Sequence, residues 1–89
     1  MLDCSIADVT DRVTALVRAI LHKRAITRPV GHDDDLRAAG LSSLDIVNLM
    51  LAVEAEFAVN IPERDMTSRN FRSIAAIAAL LCKPVAAAD

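Results

Sequence analysis

The sequence has no tryptophan and no tyrosine, and its only aromatic residues are Phe57 and Phe71. This scarcity excludes nucleobase stacking on aromatic platforms and requires an aliphatic core. Two glycines and three prolines in 89 residues are too few turn formers for a many-stranded sheet. A basic excess is missing as well. The formal net charge is −2, so nothing in the composition suits a nucleic-acid phosphate backbone. No apolar run approaches the length needed to span a membrane, and no membrane insertion is expected. The N-terminal stretch MLDCSIADVTDR starts acidic and lacks the basic and long apolar regions of a signal peptide. Cysteine is limited to Cys4 and Cys82, near opposite ends of the sequence, which is not a metal-ligand pattern. A cytoplasmic protein with both thiols reduced is therefore expected, with a disulfide between Cys4 and Cys82 as the alternative. The usual catalytic residue types are scarce, so an independent enzyme is not expected.

What is present describes one small globular unit. The length suits a single domain, and hydrophobic residues at 54% with charged residues at 25% give a folded rather than a disordered balance. Charge is unevenly spread. Residues 1–28 carry net +2, residues 29–66 net −6 and residues 67–89 net +2. An acidic centre can steer a basic partner, or it can be a solvated face.

Periodicity points to helices. Ile6, Val9, Val13, Leu16, Val17, Ile20 and Leu21 fall on one face of a helix spanning about residues 5–24. Asp3 or Ser5 can cap its start, and Lys23 and Arg24 suit its C-terminal end. Residues 25–41 read as a long loop punctuated by Pro29, Gly31 and Gly40, with Ile26, Val30, Leu36 and Leu41 available to pin it to the core. Ser42-Ser43-Leu44-Asp45 fits a capping box with Asp45 at the third helical position. The helix that follows carries two apolar stripes. One holds Ile46, Leu49, Met50, Val53 and Phe57; the other holds Leu44, Val47 and Leu51. One stripe is enough for the core of a small bundle, so the second is either buried against another helix or left as a partner surface. After Asn60-Ile61-Pro62, Thr67 can cap a short turn of helix at 68–71. Ser73 can cap a last helix from Ile74 to about Cys82, ended by Pro84. The whole reads as an all-α bundle of three main helices plus one short helix, with a long first loop, over residues 1–83, followed by a flexible tail at 84–89.

Few residues offer chemistry. His22 and His32 have no second ligand at metal-binding spacing and read as solvated. Read as a calcium loop, the run at Asp33-Asp34-Asp35 places Arg37 where an oxygen ligand belongs and lacks the central glycine. No metal site is expected. The informative spot is Gly40-Leu41-Ser42-Ser43-Leu44-Asp45. Serine at a helix start is normally a cap, but one cap is enough, and the capping-box frame selects Ser42. That leaves the Ser43 hydroxyl in the first turn, where unpaired N–H groups and the dipole favour a phosphate.

From residue 33 to 81 the sequence resembles the acyl carrier proteins and peptidyl carrier domains. The resemblance rests on Asp34-Asp35-Leu36, Gly40-Leu41-Ser42-Ser43-Leu44-Asp45, Glu54-Ala55-Glu56-Phe57, Val59-Asn60-Ile61-Pro62 and Asn70-Phe71-Arg72-Ser73-Ile74, in that order and spacing. It implies a four-helix carrier fold and a monomer that catalyses nothing. It also implies a 4′-phosphopantetheine arm attached to Ser43 by a phosphopantetheinyl transferase, holding an acyl or aminoacyl group as a thioester. The implied partners are a loading ligase and downstream synthases or transferases. The implied contacts on the second long helix are Leu44, Val47 and Leu51 as apolar residues, and Asp45, Glu54 and Glu56 as acidic ones. Two positions depart from the fatty-acid members, which usually have Asp where Ser42 stands and often an acidic residue where Asn48 stands. Both departures favour a specialised lipid, polyketide or nonribosomal peptide pathway over housekeeping fatty acid biosynthesis. The alternative is an unmodified helical interaction module on the same fold.

Overall fold

The computed structural model describes residues 5–82. Its elements in chain order are α1 (Ile6–Lys23), α2 (Leu36–Ala39), α3 (Ser43–Phe57), a single 3-10 turn (Glu63–Asp65) and α4 (Ile74–Leu81), with no strand among the described residues. The expected all-helical architecture of three long helices and one short one is present. The short helix lies at Leu36–Ala39 rather than at 68–71. Residues 68–71 form a turn instead, in which Thr67 Oγ1 accepts from the Asn70 N–H at 3.2 Å and the Thr67 carbonyl accepts from the Phe71 N–H at 3.2 Å. The expected tail at 84–89, Pro84 and the alternative cap Asp3 lie outside the described residues.

Each helix starts on a side-chain cap that satisfies otherwise unpaired N–H groups. Ser5 caps α1, Asp35 caps α2, Ser42 caps α3 and Ser73 caps α4. The first three also end alike. Beyond α1, Ala25 adopts φ 58°, the Ala25 N–H donates to the His22 carbonyl and the Ile26 N–H to the Leu21 carbonyl. This is a left-handed Schellman turn, which glycine normally occupies. Beyond α3, Ala58 takes φ 53° and the Val59 N–H donates to the Glu54 carbonyl. Only the turn after α2 uses glycine: Gly40 has φ 121°, and the Leu41 N–H donates to the Leu36 carbonyl.

Helix α1 packs against both α3 and α4. It buries Val9, Val13, Val17 and Leu21, a four-residue spacing that keeps one face inward. Ile6, expected on that face, is exposed at the first turn. Helix α3 adds Ile46, Leu49, Met50 and Val53, and α4 adds Ile74, Ile77 and Ala78. Phe71 is fully buried, whereas Phe57 lies only partly buried against the core. Leu36 and Leu41 are buried and pin the long loop, with Ile26 and Val30 partly buried beside them. Two backbone hydrogen bonds tie that loop to the start of α4: Leu36 N–H to the Arg72 carbonyl at 2.7 Å, and Ala75 N–H to the His32 carbonyl at 2.8 Å.

Cys82 is disulfide-bonded, which corrects the expectation of a reduced thiol; that expectation rested on compartment, which carries no information about chain geometry. The other cysteine, Cys4, lies outside the described residues. No described helix is long and apolar enough to cross a membrane.

Candidate functional site

The site is built where the long loop turns into α3. Gly40 reverses the chain in the left-handed region and sends the Leu41 side chain into the core. Ser42 and Ser43 follow on the surface. The capping box is complete. Ser42 Oγ accepts from the Asp45 N–H at 3.1 Å, and Asp45 Oδ2 accepts from the Ser42 N–H at 2.9 Å. Ser42 alone therefore does the capping. Ser43 occupies the first helical position, exposed, with its hydroxyl outside the box. The box uses the N–H groups of Ser42 and Asp45 and leaves those of Ser43 and Leu44 to a ligand at the positive end of the helix.

Asp45 was expected as an acidic surface contact. It is instead buried, 5% exposed, and faces α1. Arg24, just past the end of α1, donates to Asp45 Oδ1 from Nη2 at 2.8 Å and from Nε at 3.1 Å. Both carboxylate oxygens are thus committed inside the fold. The Arg24 hydrogen bonds, followed by that from the Ser42 backbone, hold the Asp45 carboxyl below the usual aspartate range. Arg24 in turn neutralises a carboxylate that would otherwise oppose an anion at the head of α3.

The other two acidic residues of α3 also have internal partners. Glu54 is half-buried, and its Oε2 accepts from the Ile61 N–H at 2.8 Å, fastening the chain after α3. Glu56 is exposed but pairs with Arg12 of α1, whose Nη2 and Nε lie 3.0 and 3.1 Å from Glu56 Oε2. Arg12 Nη2 also donates to the Glu56 carbonyl at 3.0 Å, and the guanidinium carbon sits 4.4 Å from the Phe57 ring centroid.

The apolar expectation fares differently. Leu44, Val47 and Leu51 are 64%, 46% and 57% exposed. The second stripe of α3 is therefore uncovered, and Asn48 and Ala55 share its exposed face. The structure brings Ser43, Leu44, Val47 and Leu51 together on one outward surface. It separates them from Asp45 on the inner side and from Glu56 on the flank toward α1.

Reading along the sequence missed Arg24 and Arg12. Both appear only as helix charges, and their partners lie 21 and 44 residues away, beyond any local pattern. His22 and His32 are exposed, as expected. The acidic loop serves the backbone: Asp34 Oδ2 accepts from the Gly31 N–H at 2.7 Å, and Asp35 caps α2. No group of three or more His, Cys, Asp or Glu able to hold a metal ion occurs among the described residues.

Comparison with known proteins agrees with this geometry. The sequence matches the phosphopantetheine attachment site family over residues 11–81. It is 45% identical over 67 residues to aminoacyl carrier protein 1 of Bradyrhizobium diazoefficiens, covering 75% of this chain and 74% of that protein. It is 39% identical over 69 residues to the aminoacyl carrier protein of Agrobacterium fabrum, covering 73% and 83%. The fold is similar to a chain in the crystal structure of Bradyrhizobium japonicum glycine:[carrier protein] ligase complexed with glycylated carrier protein. That match has a TM-score of 0.69 and 40% identity, and it covers 81% of this chain and 97% of the other.

Proposed function

The chain belongs to the phosphopantetheine-attachment carrier family, and from that premise we propose that it carries an aminoacyl group on an arm attached to Ser43. The observation that carries the site assignment is the division of labour between adjacent serines. Ser42 is held in the capping box, while Ser43 presents an exposed hydroxyl one position further into α3. Ser43 supplies the oxygen that becomes esterified. The first-turn N–H groups of Ser43 and Leu44 would be available to the phosphate of the arm, with the helix dipole in its favour. Bound there, 4′-phosphopantetheine supplies a terminal thiol that holds cargo as a thioester.

The aminoacyl reading is supported by the names of the similar carriers and by the ligase found with one of them. The replacement of the usual Asp by Ser42 and the neutral Asn48 also separate this helix from fatty-acid carriers. The chain presents cargo and leaves bond-making to its partners. The partner surface is the outward face of α3 that begins at Ser43, with Leu44, Val47 and Leu51 as its apolar contacts.

Incubating the phosphopantetheinylated protein with ATP, one amino acid at a time and a glycine:[carrier protein] ligase tests this reading by intact mass. A gain of one aminoacyl unit that hydroxylamine removes is expected. Loading by acyl chains alone, with no amino acid accepted from any aminoacyl ligase, would overturn it.

A further inference from the structure

Ser42 and Ser43 stand between Gly40 and Asp45, and the end of α1 reaches the chain at both of these flanking residues. On one side, Ile26 Cδ1 lies so close over Gly40 that a Cβ there would approach it to 3.0 Å. On the other, Arg24 donates to Asp45 Oδ1 at 2.8 and 3.1 Å. Both contacts come from one turn. The Arg24 N–H donates to the Ile20 and Leu21 carbonyls, Ala25 takes the left-handed conformation at φ 58°, and the Ile26 N–H donates to the Leu21 carbonyl. Asp45 completes the connection, since its Oδ2 accepts from the Ser42 backbone N–H at 2.9 Å. A chain of hydrogen bonds thus runs from the end of α1 through Arg24 and Asp45 to the residue before Ser43.

We infer that the end of α1 fixes the place of Ser43 for attachment of the arm, with Arg24 as a positioning residue that acts through Asp45. The inference rests on the carrier reading above and adds a residue which that reading does not use. In the attachment step Ser43 Oγ forms a bond to the phosphorus that bears the pantetheine. The pyrophosphate P–O bond of coenzyme A breaks, adenosine bisphosphate leaves, and the hydroxyl proton passes to a base of the transferase. Ser43 Oγ is the carrier's own contribution to this step, so orientation is where the chain governs its rate. Without Arg24, the buried Asp45 carboxylate keeps only the Ser42 N–H as a partner among the described residues. A buried carboxylate so poorly partnered turns toward water. That opens the capping box and releases the backbone of Ser42, next to the reacting oxygen. The Ser42 hydroxyl has no part in this chain of bonds; the Ser42 N–H does.

Steady-state kinetics of a broad-specificity phosphopantetheinyl transferase with coenzyme A and the intact apo protein test this, with melting temperatures measured alongside. Arg24→Met keeps most of the stem and removes every donor. It should lower kcat by about tenfold, the effect of a misplaced reacting group. The KM for the carrier should stay within about twofold, because the outward face of α3 is untouched. Arg24→Lys, which keeps the charge and a donor, should recover part of the loss. Asp45→Asn should lose a similar amount. Arg24→Met added to it should cost less than about a further twofold, as two residues acting as one unit do. Full multiplication of the two losses would overturn the inference, since it would place Arg24 against the transferase or coenzyme A instead. So would wild-type kcat in a folded Arg24→Met. If Arg24→Met does not fold, the same comparison is made with Arg24→Lys, and an equal loss in the wild-type and Asp45→Asn backgrounds would overturn the inference. No modification of the wild type would overturn the carrier reading, and this inference with it.

Discussion

Replacing each phenylalanine by alanine applies the same chemistry to two different depths of the fold. Phe71 is fully buried, in the turn between the 3-10 segment and α4, and it joins the cluster that contains Val13, Val17, Leu49 and Ile77. Truncation there removes a whole ring from a closed core and leaves a cavity, at a cost of about 4 kcal/mol. A domain of this size holds roughly 5–10 kcal/mol in total, so the midpoint of thermal unfolding should fall by about 15–30 °C. Phe57 ends α3 only partly buried, with the Arg12 guanidinium over its ring. Partial burial contributes about half of a full aromatic transfer, and the cation–π contact adds about 0.5–1 kcal/mol. Phe57→Ala should therefore cost about 2 kcal/mol and lower the midpoint by about 8–15 °C. Circular dichroism melts of the two variants beside wild type decide the matter. A Phe57→Ala midpoint at or below that of Phe71→Ala would refute the assignment of core and margin.

Three further outcomes are expected. Ser42→Ala removes the cap of α3 and should cost about 1 kcal/mol in a denaturant melt, while the protein still accepts phosphopantetheine, as intact mass would show. Ala58→Gly should raise stability by about 0.5–1 kcal/mol, because α3 ends on an alanine at φ 53° where glycine carries no Cβ penalty; a lower melting point in the variant would contradict this. The Asp45 carboxyl is held below its ordinary value by Arg24 and by the Ser42 backbone. Its contribution to stability is thus present above the unfolded aspartate pKa of about 4 and is lost as pH falls through the lower folded value. Melting temperatures between pH 7 and pH 2.5 should accordingly fall more for wild type than for Asp45→Asn, and parallel curves would count against the pairing.

The sequence made the long helices legible because their periodicity and caps are local. The four-residue spacing of Val9, Val13, Val17 and Leu21 and the box from Ser42 to Asp45 need no tertiary information. Helix α2 escaped notice because four residues are too short to show a period, and its existence depends on Leu36 and Leu41 meeting the core. Whether Leu44, Val47 and Leu51 are covered could not be read from α3 alone. It depends on α1 lying between α3 and α4 as the common neighbour of both. The direction of Asp45 was misread for a similar reason. Its position in the first turn suggests a surface charge, and only Arg24, 21 residues earlier, turns it into a buried partner. At the site itself, the capping frame selects Ser42 as the cap of α3, and Ser42 is the residue whose hydroxyl accepts from the Asp45 N–H.

The carrier role depends most directly on which serine oxygen takes the arm. Wild type, Ser42→Ala and Ser43→Ala should each be incubated with coenzyme A and a broad-specificity phosphopantetheinyl transferase, then weighed intact. Wild type and Ser42→Ala should each gain one phosphopantetheinyl group, and Ser43→Ala should gain none. No gain on the wild type would contradict the carrier role and favour an unmodified helical interaction module, and the same gain on Ser43→Ala would contradict the placement of the arm.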